Sequence, residues 1–286
     1  MHAEKANHQV TVLCATLGVS RSGYYAWLKR PTSEREKKFE SLKVAAAAAH
    51  RKSGGVYGSP RVHKELVADG IVVSEKTVAK VMQKARILGK SKQRYMVTTN
   101  SKNSELIAPN LLKRDFSAPR PNEVWVTDVT AIWTWEGWVY LAAIIDLFGR
   151  RVVGWAVSDT NDTVLALDAL RRAQVARKPP PGLIHHSDRG SPYASHEYVA
   201  TLRAFGMLPS MSRKGDCWDN AVAESFWASL KNERLDARSY ASRACVHREI
   251  SDYIEHFYNT TRRHSSLNYF SPIQFELRAT AGQLAA

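Results

Sequence analysis

The stretch that decides the fold is Val124-Trp125-Val126-Thr127-Asp128-Val129-Thr130, an apolar and β-branched run that encloses one acid. Such a run predicts a strand, and a lone carboxylate inside it is costly unless something compensates its charge. Asp188 closes a second strand-like run, and 35 residues separate it from Glu224, which lies about a turn into a predicted helix. The rest of the chain is interpreted around these three acids.

The periodicity outside this stretch predicts a mixed α/β sheet with flanking helices. The predicted strands cover residues 124–130, 138–145, 152–157, 183–187 and 207–211, and the first three have high β-branched and aromatic content. The predicted helices cover about 160–177, 195–205 and 219–235. Thr160 and Asp219 are the residue types that cap helices, and each is predicted to cap the helix that it begins.

The first 90 residues predict helices only. Residues 9–30 have the outline of a helix-turn-helix with Ser20 as a cap, and residues 33–52 form a charged helix. A second hairpin begins near Pro60, and Ser74 caps its second helix. On that helix Lys76, Lys80 and Lys84 recur every fourth residue and share one face. Such a row either lies along DNA phosphates or is an ordinary solvated face.

The charge of the chain is concentrated at its front. Residues 1–120 contain 23 Lys and Arg against 9 Asp and Glu, while residues 121–286 contain 18 of each, so the net charge of +14 lies entirely in the first part. A basic front joined to a neutral back predicts a polyanion-binding region attached to a part with another task. A merely solubilising surface is the alternative.

Composition limits the class of protein. No run of 18 apolar residues and no basic-then-apolar leader is present in the sequence, which predicts a soluble, unexported protein. The three cysteines, Cys14, Cys217 and Cys245, form no CxxC pair. This argues against a disulfide framework and against a cysteine-rich zinc site, and it favours a reducing cytoplasm.

The three acids predict a metal site. Carboxylates that converge from two neighbouring strands and a helix repel one another unless cations neutralise them, and ligation by oxygen alone favours Mg²⁺. Two such ions suit an in-line phosphoryl displacement. Each acid also has an ordinary explanation: Asp128 as a hydrogen-bonded structural carboxylate, Asp188 as a turn residue, and Glu224 as a helix N-terminal residue.

Several motifs together resemble bacterial insertion-sequence transposases of the DDE type. They are the run 125–130, His185-His186-Ser187-Asp188-Arg189-Gly190, the run 219–226, and Tyr258-Asn259-Thr260-Thr261-Arg262-Arg263-His264-Ser265-Ser266-Leu267. More narrowly, the chain is similar to the second reading frame of the two-frame, integrase-like family, whose core is related to retroviral integrase. The resemblance covers residues 10–276 and includes the 35-residue gap and Lys231, seven residues after Glu224.

The resemblance implies an RNase H-like core in which Asp128, Asp188 and Glu224 hold two Mg²⁺ ions, for which Mn²⁺ can substitute. It implies strand cleavage followed by strand transfer on double-stranded DNA, at element ends and target, by at least a homodimer. An upstream-frame protein or fusion is a further expected partner, and no membrane is expected. The retroviral zinc module has no counterpart in the sequence, so zinc is not expected.

Further candidates are weighed individually. Lys231 lies about two helical turns from Glu224 and is expected to hold the DNA backbone, with a surface lysine as the alternative. Arg189 and Lys214 lie on predicted loops and are expected to contact the DNA backbone. Structural roles are favoured for His185 and His186, and for His264 DNA contact and packing both stay open.

Five segments follow from the composition shifts and from the resemblance. They are an N-terminal helix-turn-helix with a charged helix (1–53), a second helix-turn-helix (54–90), a basic linker (91–122), an RNase H-like catalytic core (123–240) and a C-terminal helical tail (241–286). Two other functions compete with transposition: a nuclease that cuts without joining, and a DNA-binding regulator with an inert core.

Overall fold

The computed structural model describes residues 3–90, 107–213, 217–235 and 240–282. Five helices come first, and their bounds are α1 Val10–Thr16, α2 Arg21–Lys29, α3 Glu34–Lys52, α4 Ser59–Ala68 and α5 Glu75–Lys84. The predicted caps are confirmed at Ser20 and Ser74, whose side chains accept hydrogen bonds from the backbone N–H of Gly23 and Thr77.

Helices α3, α4 and α5 share one apolar core. Its buried members come from all three helices and include Ala46, Val62, Leu66 and Val78. The charged helix α3 therefore packs with the second helix-turn-helix, whereas the predicted segments placed a boundary at residue 53. The segment boundaries themselves stay a prediction.

Residues 124–211 contain a five-stranded sheet in the order β3-β2-β1-β4-β5. Its strands are β1 Val124–Thr134, β2 Gly137–Asp146, β3 Val152–Ser158, β4 Ile184–Ser187 and β5 Leu208–Met211. Strands β1, β2 and β3 are antiparallel, while β4 pairs in parallel with both β1 and β5. The expected RNase H-like mixed sheet is confirmed.

The bounds of the remaining helices are α6 Thr163–Arg177, α7 His196–Ala204, α8 Ala221–Glu233, α9 Arg243–Ser251 and α10 Pro272–Thr280. Helix α6 lies between β3 and β4, α7 lies between β4 and β5, and the other helices follow β5. Thr160 does not cap α6. Asp162 does so instead, and its Oδ1 accepts the N–H of Leu165 at 3.0 Å. A π-helical segment, Asp252–Tyr258, continues α9.

The two faces of the sheet bury different helices. On one face, Trp125 and Ile144 pack with residues of α6 and α7. On the other, Val126 and Leu141 pack with Phe226 of α8 and with α9 and the π-helical segment. Side chains of a strand alternate between faces, so Asp128 lies on the same face as Val126 and points towards α8.

The C-terminal tail joins the helical region to the core. Phe257 packs against both apolar cores and lies 6.4 Å, between ring centroids, from Tyr57. The Tyr57 hydroxyl donates to the carbonyl of Thr261 and accepts the N–H of Arg263. Arg263 Nε in turn lies 2.5 Å from a carboxylate oxygen of Glu65 on α4.

The described part of the linker, residues 107–122, lies against the core. Its Leu112 is buried among core residues, and the backbone N–H of Leu111 donates to Ser210 Oγ of β5 at 2.9 Å. Among the described residues, no helix combines the length and the apolar character that a membrane crossing needs.

Candidate active site

Parallel pairing of β1 and β4 brings the first two acids level with each other. Val124 pairs with Ile184 and Val126 with His186, a constant offset of 60 residues. The same offset places Asp188, one residue past the end of β4, opposite Asp128. Neighbouring strands lie about 4.8 Å apart, so the two carboxyl groups leave adjacent strands on one face of the sheet.

Helix α8 brings the third acid over this pair. Its start is tied to β1 because Asn220 Nδ2 donates to the carbonyl of Thr127 at 3.1 Å. One turn along α8 from Glu224, Trp227 Nε1 donates to Asp128 Oδ2 at 2.9 Å. Glu224, Trp227 and Lys231 are spaced by three and four residues, so they share the face of α8 that is turned towards Asp128.

The electrostatics of this cluster follow from its geometry. Burial raises the pKa of Asp128 to about 7, and the charges of Asp188 and Glu224 raise it as well, against the lowering effect of the Trp227 hydrogen bond. Burial also raises the pKa of Asp188, although the N–H of Gly190 donates to its Oδ1 at 2.8 Å. Burial likewise raises the pKa of Glu224. The three acids therefore resist carrying their charges together without a compensating cation.

Lys231 lies within the field of the same acids. Burial lowers the pKa of its amine, while the charge of Asp128 raises it. The predicted position of Lys231, two turns along α8 from Glu224, places a partly buried cation beside the carboxylate pair.

The type of donor fits Mg²⁺, which prefers carboxylate oxygens. The structure does not gather these acids into one ligand cluster: in the part of the chain that it describes, no group of three or more His, Cys, Asp or Glu side chains is arranged to hold a metal ion. Asp128 and Asp188 form the preassembled part, and Glu224 faces them from α8. Their assignment as metal ligands stays a prediction.

The other predicted DNA contacts are dispersed. Arg189 Nε donates to the carbonyl of Ser212 at 2.7 Å, so this side chain also braces the loop that follows β5. Lys214 lies outside the described residues. The α5 row is exposed at Lys76, Lys80 and Lys84, and Lys84 Nζ lies 5.3 Å from the ring centroid of Phe39.

Lys80 and Lys84 line a groove between α3 and α5. On the α3 side the same groove is lined by both acidic and basic side chains, namely Glu34, Glu36, Glu40, Arg35 and Lys38. The groove therefore has mixed charge, and a phosphate contact by the lysine row stays a prediction.

Three histidines are buried in hydrogen-bonded positions. His186 Nδ1 lies 2.8 Å from Ser210 Oγ, and His185 Nε2 lies 3.3 Å from the Tyr198 hydroxyl. Burial lowers the pKa of His185 to about 3 and that of His186 to about 4. Burial also lowers the pKa of His264, to about 2, and its ring packs edge-on against Tyr258 at 4.8 Å. All three are packed as uncharged rings.

The sequence did not predict the contacts that Trp227, Asn220 and Asp219 make in this region. Trp227 is spaced three residues after Glu224, which is the signal that could have identified it. Asn220 is the N-cap of α8, so the prediction of Asp219 at that position is wrong. Asp219 is instead fully buried and accepts hydrogen bonds from Arg114 and Arg213.

Comparison with known proteins gives the family. Integrase core domain models match residues 118–217 and 206–272, and an HTH-like domain model matches residues 37–95. The transposase InsF of insertion sequence IS3A from Escherichia coli K12 is 39% identical over 274 residues, which cover 95% of each chain. The chain belongs to the IS3-family InsF transposases.

A second relative of this IS3-family chain is the insertion element IS600 uncharacterized 31 kDa protein from Shigella sonnei. It is 42% identical over 274 residues, which cover 96% of this chain and 100% of that protein. Among solved structures, the HTLV-2 integrase catalytic core domain in complex with magnesium (dimeric form) is 17% identical with a TM-score of 0.42, over 55% of this chain and 98% of that one. The simian T-cell lymphotropic virus intasome in complex with PP2A regulatory subunit B56 gamma is 13% identical with a TM-score of 0.45, over 81% of this chain and 74% of that one.

Proposed function

We propose that this IS3-family transposase cleaves DNA at the ends of an insertion sequence and joins the freed 3′ end to a target strand, with divalent metal ions held by Asp128, Asp188 and Glu224. The observation that supports the proposal is that the charges of both Asp188, one residue past the end of β4, and Glu224 of α8 act on the Asp128 carboxyl group of the neighbouring strand β1. Mutual repulsion in a partly buried cluster is what a cation site requires before its ions arrive.

The proposed chemistry is two displacements at phosphorus. In the first, a water oxygen attacks the phosphodiester, the bond from phosphorus to the 3′ oxygen breaks, and this oxygen leaves as a 3′-hydroxyl. In the second, that hydroxyl attacks a phosphodiester of the target strand, loses its proton and displaces the 3′ oxygen of the neighbouring target nucleotide. Bound Mg²⁺ ions supply activation of the attacking oxygen and stabilisation of the leaving one.

The chain's own residues position these groups. Trp227 fixes one oxygen of Asp128 through its indole N–H, and so the other carboxylate edge keeps its orientation. Asn220 holds the start of α8 to β1, which sets the height of Glu224 above the sheet. Lys231 supplies a cation beside the carboxylates for a backbone phosphate, and the pKa of its amine, though lowered by burial, starts from an ordinary value of 10.5.

The partner in this proposal is double-stranded DNA at element ends and target. The +14 charge of residues 1–120 supplies sequence-independent affinity, and the HTH-like region supplies the element that enters a groove. Two ends must be held together for transposition, so the active species is at least a homodimer. An upstream-frame protein or fusion contributes to end recognition in the same proposal.

The test is a cleavage and joining assay with labelled element ends, a target plasmid and Mg²⁺. Asp128→Asn is expected to abolish both products, while Asp168→Asn, an exposed acid of α6 paired with Arg171, leaves both intact. Equal activity of the Asp128→Asn protein would refute the site. Cleaved ends without joined products would identify a nuclease, and binding to DNA without cleavage by the wild type would identify a regulator.

A further inference from the structure

A second charged cluster lies beside the candidate active site and is centred on Asp219. This side chain is fully buried, with 0% of its surface exposed. Its Oδ1 accepts Arg114 Nε at 3.0 Å and Arg213 Nη2 at 3.1 Å, and its Oδ2 accepts Asn110 Nδ2 at 2.9 Å. The backbone N–H of Arg213 donates to Oδ2 as well, at 2.9 Å. One carboxylate therefore joins the linker, the loop after β5 and the start of α8.

The side chains of the two arginines are exposed to solvent, although the Asp219 carboxylate that they share is buried. The side chain of Arg114 is 47% exposed and that of Arg213 is 56% exposed. Because both donate to the same oxygen, their donating nitrogens lie within about 6 Å of each other. Both guanidinium groups therefore face solvent while they hold one buried carboxylate.

The acid keeps its charge in this setting. Hydrogen bonds from Arg213 and Arg114 hold the pKa of Asp219 well below its usual range, and they outweigh the opposing effect of burial. The arginine pair is therefore fixed in place across the neutral range. Arginine guanidinium groups match phosphate oxygens geometrically, and holding them in place before binding reduces the entropy lost on contact.

Distance along the chain relates this pair to the acids. Asp219 lies in the 3₁₀ turn Cys217–Asn220 and Glu224 five residues later in α8, with the non-helical N-cap Asn220 between them, so the two are about 8 Å apart along the chain direction. Phosphates of one DNA strand advance about 3.4 Å per nucleotide along the duplex axis. A DNA strand that ran parallel to α8 past the acids would present a phosphate about two nucleotides away at the level of Asp219.

We propose that Arg114 and Arg213, held on Asp219, form a binding site for a backbone phosphate about two nucleotides from the scissile phosphodiester. This inference rests on the proposed function, because it assumes that the cleaved strand lies along the three acids. The site binds without regard to base sequence, since it meets only the backbone. Its purpose is to fix the register of the strand over Asp128 and Asp188.

The competing explanation is that the cluster only braces the loop before α8. Salt dependence of DNA binding separates the two, because each phosphate contact releases counterions while an internal brace releases none. We would measure affinity of the full chain for a fluorescent duplex carrying the element end and for a scrambled duplex, in EDTA, between 50 and 200 mM salt. The variants are Arg114→Gln/Arg213→Gln and Arg114→Lys/Arg213→Lys, with Arg171→Gln as control for an exposed arginine on α6.

The double glutamine variant is expected to lower the slope of log affinity against log salt by about 0.9 on both duplexes. Its affinity would then fall about 3.5-fold less than that of the wild type across this salt range. The double lysine variant and Arg171→Gln should keep the wild-type slope, since lysine retains the charge and Arg171 lies elsewhere. An unchanged slope in the double glutamine variant would overturn the site.

Folding and catalysis are controlled separately. If the double glutamine variant has a lower unfolding midpoint, the double lysine variant separates lost charge from lost folding. A wild-type salt slope in the lysine variant together with a reduced slope in the glutamine variant supports the phosphate site. Equal salt slopes in the two variants overturn it. The measurement in EDTA needs no cleavage, so a wild type that never cleaves would sink the proposed function and leave the salt result valid. Normal cleavage with equal slopes would remove only the phosphate site.

Discussion

Substituting Glu233 by Gln is expected to unfold the joint between α8 and the C-terminal tail. Glu233 accepts two hydrogen bonds from Arg262, with N–O distances of 2.6 Å each, and one from the Tyr253 hydroxyl at 2.8 Å. The side chains are 8% and 5% exposed for Glu233 and Arg262, so water screens the pair little. Arg61 of α4 adds a second cation, whose Nη1 lies 3.6 Å from Glu233 Oε1.

The loss in the free energy of unfolding depends on the charge that stays buried after the substitution. Glutamine keeps one acceptor oxygen but removes the negative charge, and Arg262 then remains buried without compensation. Breaking a buried ion pair on one side costs about 3–5 kcal/mol. An exposed pair is worth less than about 1 kcal/mol, so Glu34→Gln, which disrupts the Lys37–Glu34 pair on α3, is the matched control.

The assay is urea denaturation of both variants and the wild type, analysed at constant m-value. A cycle with Arg262→Gln tests the mechanism, because two members of one buried pair should be strongly non-additive, and the double variant should regain part of the loss. A loss below about 1 kcal/mol in Glu233→Gln, or additive single effects, would refute the reasoning.

Two further predictions concern the core. Burial lowers the pKa of His264 to about 2 in the folded protein, whereas the unfolded chain binds this proton near pH 6.5. The stabilising contribution of the neutral ring is therefore present above pH 6.5 and is lost as the pH falls below it. The difference in unfolding free energy between the wild type and His264→Asn should shrink by about 1.4 kcal/mol between pH 7.5 and 5.5. A constant difference in denaturation experiments would contradict this. Gly154→Ala should lower the melting temperature, because its Cβ would lie 2.4 Å from the Ala169 carbonyl oxygen, and overpacking costs about 1–3 kcal/mol. Gly58→Ala, whose Cβ meets nothing nearer than 3.9 Å, is the control, and equal shifts would refute the clash.

The elements were predictable because local signals agree with the fold. The β-branched run at residues 124–130 and the caps Ser20 and Ser74 each depend on neighbouring residues alone. The strand β1 nevertheless continues to Thr134, since pairing with β2 extends it beyond the apolar run.

The failures come from contacts that are distant in sequence. Asp219 has the residue type and position of an N-cap, but ion pairs with Arg114, 105 residues earlier, and with Arg213 bury it instead. Helix α6 begins later than predicted because Asp162, and not Thr160, accepts the first free N–H groups. The spacing of Trp227 from Glu224 places both residues on one face of α8, but the bond from Trp227 to Asp128 also depends on how α8 crosses β1, which no local pattern predicts.

The packing of Phe257 against both apolar cores has a consequence for engineering. Chimeras that exchange the helices α3–α5 between two IS3-family transposases would have to carry this aromatic residue and the segment 261–263 with them. A chimera joined only at the linker would place the donor helices against the tail of the other protein. Tyr57 and Glu65 would then lose their own partners in the segment 261–263. The practical unit of exchange in this chain is thus discontinuous, with one piece before the catalytic sheet and one after it.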